Sequence, residues 1–414
     1  MKNFTTAVIA LLMLSCEKAP VEAVQETVLD PIIDYSVLQS SPVSANKSNS
    51  IRVYVHYMPW FQSKPFSGSW GYHWTMNSQN PDLINQEGKR QIASHYYPLI
   101  GPYDSGDPNL IEYHLLLMKY SGADGVLIDW YGSFDVYDYQ ANLLNSNSLI
   151  EETLRYALDF GIVYEEYTVE NSSTANQLSD VSATIKDLEY IEDHYSGLEN
   201  YISIENKPLL LTFGPRYLKD PSKWSEILGA VQTTFSFMPL WGLTSLVGDE
   251  NVLGEFAWVD FDAELSVSNN LYAKSTNGFV LGGAYPGFHD FYVEAGVGSS
   301  YGFIGHENGA QLGKTLNLVA AYNLDYVQLI TWNDFGEGTM LEPTLEFEYT
   351  FLEQIQEFTG VPYGRDELEL ITKLYQLRKK HSEHAEKQKV LDLISNHLRV
   401  LEVEKAKGYL SLVE

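Results

Sequence analysis

Asp334 and Glu337 stand three residues apart in the stretch Trp332-Asn333-Asp334-Phe335-Gly336-Glu337-Gly338-Thr339, directly after the apolar run 327–330. Two carboxylates side by side are the minimal apparatus for cleaving a glycosidic bond. One protonates the leaving oxygen and the other acts as base or nucleophile. A bare pair of acids at this spacing is as easily a solvated loop, so the neighbours matter. Trp332 and Phe335 are expected to pack around the acids and raise one pKa by desolvation, while Gly336 and Gly338 allow a tight turn and close approach of a substrate.

The run before the acids is β-branched and of strand length, then changes abruptly to polar residues and glycine, as a buried parallel strand does where it enters a loop. In a (β/α)8 barrel the loops after the strands' C-terminal ends carry the chemistry, which puts both acids in the mouth. Seven further strands are expected at 52–57, 126–132, 161–166, 207–213, 238–243, 255–259 and 278–284, with helical spacing over 109–121, 149–160 and 178–203. The count gives one (β/α)8 TIM barrel over residues 51–361, carrying the catalytic site, and a short C-terminal helical extension over 362–414. In the extension, Leu368, Ile371, Leu374 and Leu377, then Leu391, Ile394, Leu398 and Leu401, predict two helices packed on the barrel. Tyr57, Trp60, His73, Trp74, Asp129, Trp130, Tyr164, Glu165, Tyr285 and Asn333 all fall at or just after strand ends. They are expected to face one cleft, with stacking faces and polar edges for a sugar.

Several of these stretches resemble known carbohydrate-active families. Trp332-Asn333-Asp334-Phe335-Gly336-Glu337 is similar to the signature of glycoside hydrolase family 71, the fungal α-1,3-glucanases. Glu337-Gly338-Thr339 with Glu342-Pro343 resembles family 99, the endo-acting α-mannosidases, and the two families share one barrel design. Tyr57, Pro59, Trp60, His73 and Trp74 match the family 99 exit from the first strand and the His-Trp element lining its sugar site. Trp130 and Tyr131 take the places of two tryptophans, Asp129 replaces a neutral residue, and Tyr164-Glu165 matches a pair that holds the sugar in the cleavage subsite. Lys207-Pro208 and Pro286-Gly287-Phe288 match as well.

The resemblance implies an endo-acting α-glycosidase, α-mannan first and α-1,3-glucan second, with Glu337 as general acid/base. Asp334 stands where family 99 has a glutamate that acts on the sugar's own 2-hydroxyl, giving retention through an anhydro-sugar. Its carboxylate sits about 1.5 Å further back, which leaves inversion through a bound water as the alternative, with family 71 as precedent. A surface protein that binds glycan without cutting it is the reading from another class.

Composition narrows the partners. The net charge of −29 disfavours nucleic acid and anionic surfaces, and 29 tyrosines and eight tryptophans suit sugar stacking. With no phosphate loop, no HExxH and scattered single histidines, no cofactor and no metal are expected, and the enzyme is expected to act as a monomer on poly- or oligosaccharide. Lys2, the apolar run 7–14 and Leu14-Ser15-Cys16 resemble a bacterial lipoprotein signal over 1–16, with the only cysteine, Cys16, as the lipidation site. Residues 17–50 read as a flexible linker to a lipid anchor in the bacterial envelope.

Overall fold

The computed structural model describes residues 35–413 apart from Asn277, so the signal segment, Cys16 and the first part of the linker lie outside the described residues. Eight parallel strands form the centre: β1 (Arg52–Tyr57), β2 (Gly125–Trp130), β3 (Asp159–Tyr164), β4 (Lys207–Thr212), β5 (Ser236–Pro239), β6 (Gly254–Phe256), β7 (Phe279–Ala284) and β8 (Tyr326–Leu329). The first strand pairs with the last, Val55 lying opposite Leu329 on one side and opposite Val126 of β2 on the other. The curled sheet closes between β5 and β6 through the parallel bridge of Leu240 with Phe256, where the Trp241 N–H donates to the Phe256 carbonyl at 3.0 Å. The result is the (β/α)8 barrel that the strand count predicts.

Because a strand's side chains alternate, each strand feeds two apolar layers. Tyr54, Leu127, Val163, Leu209, Leu211, Met238, Phe256 and Leu281 fill the barrel interior. Val53, Val55, Val126, Ile128, Phe160, Ile162 and Leu210 face the surrounding helices. Burial on both faces is why these strands read as continuous apolar runs.

Local boundaries differ in instructive ways. The helix expected near 149–160 instead spans Tyr139–Thr153, and β3 begins at Asp159. Its first half, rich in Asn and Ser, has weak intrinsic propensity and is held by tertiary bonds. Asn142 donates to the Asp129 carbonyl at 3.0 Å and accepts from the Tyr131 N–H at 3.1 Å, and Asn145 donates to the Pro59 carbonyl at 2.8 Å. These amides tie the ends of β1 and β2 together beneath the mouth.

The spacer expected through residue 50 is docked from Val37 onward. Arg399 donates to the Ser40 carbonyl at 2.7 Å, the Asn49 N–H to Thr359 at 3.0 Å, and Lys47 pairs with Asp124. The C-terminal extension holds three helices, Arg365–Lys380, Ala385–Arg399 and Val403–Leu410, where the apolar spacing predicts two. Arg378 bridges to Glu112 on the helix Pro108–Tyr120, so the extension is one layer with the barrel wall. Among the described residues no helix is long and apolar enough to cross a membrane.

Candidate active site

The loop after β8 is built by its own polar residues. The Asp334 N–H donates to Thr331 Oγ1 at 2.8 Å, and Thr331 and Thr339 close the loop through their hydroxyls (3.0 Å) and the Thr331 N–H to Thr339 carbonyl bond (3.0 Å). Gly338 takes φ +67°, and a Cβ there would come within 2.8 Å of the His289 carbonyl. Only glycine suits both conditions. The N–H groups of His289 and Phe291 then donate to the Glu337 and Gly336 carbonyls at 2.8 and 2.9 Å, tying this loop to the insertion after β7.

Above the barrel interior lies a cavity of about 620 Å³, lined in part by His56, Asp129, Glu165, Arg216, Asp334 and Glu337. The lining from β1, β2, β3, β4 and β6 continues the interior parity by steps of two: Tyr54 to His56 and Met58, Leu127 to Asp129 and Tyr131, Val163 to Glu165, Leu211 to Phe213, Phe256 to Trp258. The mouth is thus the upward extension of the barrel core, with polar side chains where the apolar ones end.

Of the residues expected to face the cleft, Trp60, His73, Asp129 and Glu165 line it together with both acids. Trp60 and His73 stack at 4.0 Å, and His73 Nε2 lies 3.4 Å from Asp138. Six others do not line it. Tyr57, Trp130 and Tyr164 fall on the opposite parity and lie in the layer beneath the helices. There Tyr57 bonds His114 Nδ1 at 3.0 Å, Trp130 stacks on Tyr190 at 5.9 Å, and Tyr164 donates to Asp187 at 2.7 Å. Trp74 donates to the Tyr103 carbonyl at 2.8 Å and packs on Phe61, and Tyr285 donates to the Asp260 carbonyl at 2.8 Å. Asn333 clamps the exit of β1, accepting from the Met58 N–H at 2.9 Å and donating to the Met58 carbonyl at 3.0 Å.

Trp332 and Phe335 do not enclose the acids either. Both are core residues, Trp332 against His114 and Phe335 against Trp74. Tyr131 was legible from its parity with Asp129, but Arg216, which lies over the Phe213 ring at 4.6 Å, follows a loop with no such signal. Tyr292 and Tyr301 reach the cavity from the insertion after β7, which carries the small hairpin Phe288–His289 with Phe303–Ile304.

The acids differ in environment. Burial pushes the Asp334 carboxyl up to about 6, against the opposing backbone N–H groups of Glu337 (2.9 Å to Oδ1) and Gly336. Burial pushes Glu337 up to about 8, the charge of Asp334 adding to it and the Tyr292 hydroxyl, donating at 2.9 Å, opposing it. Glu165 is raised by burial to about 7, with Arg216 pulling it back. Asp129 is raised well above the usual carboxylate range by burial and by the charges of Glu165 and Asp334. Near neutral pH such a site holds a protonated acid beside an ionised one.

The comparisons with known proteins agree with this architecture. The pattern of Glycosyl hydrolase family 99 matches residues 49–237, a region that ends before the acid loop. The Danio rerio glycoprotein endo-alpha-1,2-mannosidase-like protein is 21% identical over 325 residues, covering 70% of each chain. The Rattus norvegicus glycoprotein endo-alpha-1,2-mannosidase is 21% identical over 208 residues, 46% of this chain and 42% of that protein. Among solved structures, the endo-alpha-mannosidase of family 99 from Bacteroides thetaiotaomicron superposes with a TM-score of 0.58 at 18% identity, covering 78% of this chain and 99% of that one. At that identity the structural likeness is one of fold. With the sequence pattern beside it, the chain is a glycoside hydrolase family 99-like protein.

Proposed function

We propose that the chain hydrolyses internal α-linkages of a polysaccharide, α-mannan first, with Glu337 as proton donor and Asp334 as its partner base. One observation carries this reading: two carboxyls on one loop share a cavity in environments that separate their pKa values, about 8 for Glu337 and about 6 for Asp334. Near neutrality the first keeps its proton and the second is charged, the division of labour that glycosidic cleavage needs. Trp60, Tyr131, Trp258 and Tyr301 supply aromatic faces along the same walls, suited to the apolar faces of pyranose rings. Asp334 takes the proton of the sugar's 2-hydroxyl, so that the first-formed product keeps its anomeric configuration.

Incubation with α-mannan, α-1,3-glucan and algal polysaccharides, with chromatography and NMR of the products, tests this. Oligosaccharides with the retained anomer are expected from mannan. Monosaccharide alone would overturn the endo mode, an inverted first product the 2-hydroxyl route, and glucan cleavage alone the sugar assignment. Glu337→Gln should abolish turnover and leave binding nearly intact, whereas full activity in Asp334→Asn would sink the paired-acid mechanism. We also infer that acylation of Cys16 tethers the enzyme to the bacterial envelope. Palmitate labelling that is unchanged in Cys16→Ala would exclude it.

A further inference from the structure

His56 lies on the wall of the cavity at the end of β1, fully buried, and its ring is held from two sides. The Trp258 ring meets it edge-on at a centroid distance of 4.8 Å. On the other side Nδ1 lies 3.2 Å from Gln328 Oε1, while Gln328 Nε2 donates to the Ala257 carbonyl at 2.5 Å. A backbone carbonyl only accepts, so the amide of Gln328 must turn its nitrogen to Ala257 and its oxygen to His56. The imidazole therefore carries its proton on Nδ1, donated to Gln328, and Nε2 is left with a bare lone pair. Burial lowers the pKa of His56 to about 4, which keeps this neutral tautomer through the physiological range.

Among the described residues Nε2 has no hydrogen-bond partner, although it is buried. Leaving a buried polar atom without a partner forfeits its hydration with nothing in return. That cost, at a residue lining a roomy cavity with carboxylates and aromatic rings on its walls, marks a position where a ligand group belongs. The missing group must be a donor, since Nε2 in this tautomer only accepts. Among the groups of a neutral sugar the donor is a hydroxyl.

We propose that His56 is a specificity-determining residue whose Nε2 accepts a hydrogen bond from one hydroxyl of the sugar ring bound deepest in the cavity, with Gln328 and Ala257 fixing its tautomer. The proposal rests on the glycan-cavity reading above and deepens it. His56 moves no proton in the reaction. It selects for the ring position and stereochemistry that bring a hydroxyl to Nε2, because a ring lacking that hydroxyl leaves the lone pair buried and unmet.

The test uses the full chain carrying Glu337→Gln, so that binding is measured without turnover. The probes are an α-linked manno-oligosaccharide, its gluco-configured counterpart, and a series of manno-oligosaccharides deoxygenated at one ring hydroxyl each. His56→Asn keeps an amide facing Gln328 and withdraws the acceptor from the cavity. His56→Gln places an amide oxygen near the position of Nε2. The expected results are about a 10-fold weaker Kd for His56→Asn and recovery of most of that loss in His56→Gln. One deoxy probe should already be weakened in the parent and suffer no further loss with His56→Asn.

Unchanged affinity in His56→Asn, or the same penalty against every deoxy probe, would overturn the proposal, the latter because a merely structural role weakens all ligands alike. Failure of every probe to bind the parent would overturn it together with the glycan-cavity reading. Binding with the expected pattern, but without cleavage by the chain with Glu337 intact, would sink the hydrolase reading and leave the role of His56 standing.

Discussion

Proton donors for neutral pH are made from carboxyls by withholding water, and here one loop does this to two acids unequally. With Glu337 as the proposed proton donor and Asp334 as the proposed base, kcat/KM is expected to be bell-shaped, falling below about pH 6 and above about pH 8. A flat profile across that window would separate these acids from the chemistry. Tyr292→Phe removes the hydroxyl that favours the ionised form of Glu337, so the alkaline limb should move to higher pH. The same shift has a cost in stability, whose sign follows from the raised value. The folded chain holds the Glu337 proton up to about pH 8 while the unfolded chain loses it near 4.5, so stability falls as pH rises between them. Glu337→Gln is therefore expected to be more stable than its parent above pH 8, by about 1–2 kcal/mol given the carboxyl's access to the open cavity, with the gain vanishing below pH 5. Thermal unfolding across pH measures it, and a gain that persists at pH 4.5 would assign it to packing instead.

At the scale of the strand, one residue of offset decides between core and cavity. Asp129 and Trp130 are adjacent, yet the first lines the cavity and the second lies beneath the helices, and Glu165 and Tyr164 repeat the pattern one strand over. The two classes of aromatic should respond differently to truncation. Trp130→Ala opens a hole in the outer core and is expected to cost about 3–5 kcal/mol in denaturant unfolding, with ligand affinity nearly kept in whatever stays folded. Trp60→Ala should do the reverse, weakening oligosaccharide binding several-fold with a smaller loss of stability, since its ring stacks on His73 at the cavity wall. Equal effects of the two on binding would mean that strand parity does not divide them.

At the scale of the whole chain, the C-terminal helices are part of the wall. Arg378 donates to Glu112 Oε1 at 2.9 Å from a nearly buried position, with Lys379 and Asp107 paired at 2.7 Å nearby. Arg378→Ala strands a buried carboxylate and should cost about 3 kcal/mol or more, read from the shift in denaturant midpoint. A change within 0.5 kcal/mol would show the extension to be separable. The barrel and the place of its acids were legible in the amino-acid order, because each strand is a contiguous apolar run and its C-terminal end is marked where polar residues begin. It also held the parity that sorts Asp129 and Glu165 from Tyr57, Trp130 and Tyr164, since alternation is a property of a single strand. The folded chain settled the rest: that Tyr292 would cross from the insertion after β7 to Glu337, that Arg216 would share the cavity wall with Glu165 and oppose the rise in its pKa, and that residues 37–50 would dock on the body. Those arrangements join segments from tens to hundreds of residues apart through loops with no periodicity to read. The pKa values that separate two neighbouring carboxyls depend on the water excluded by all of these segments together, which only the folded chain can set.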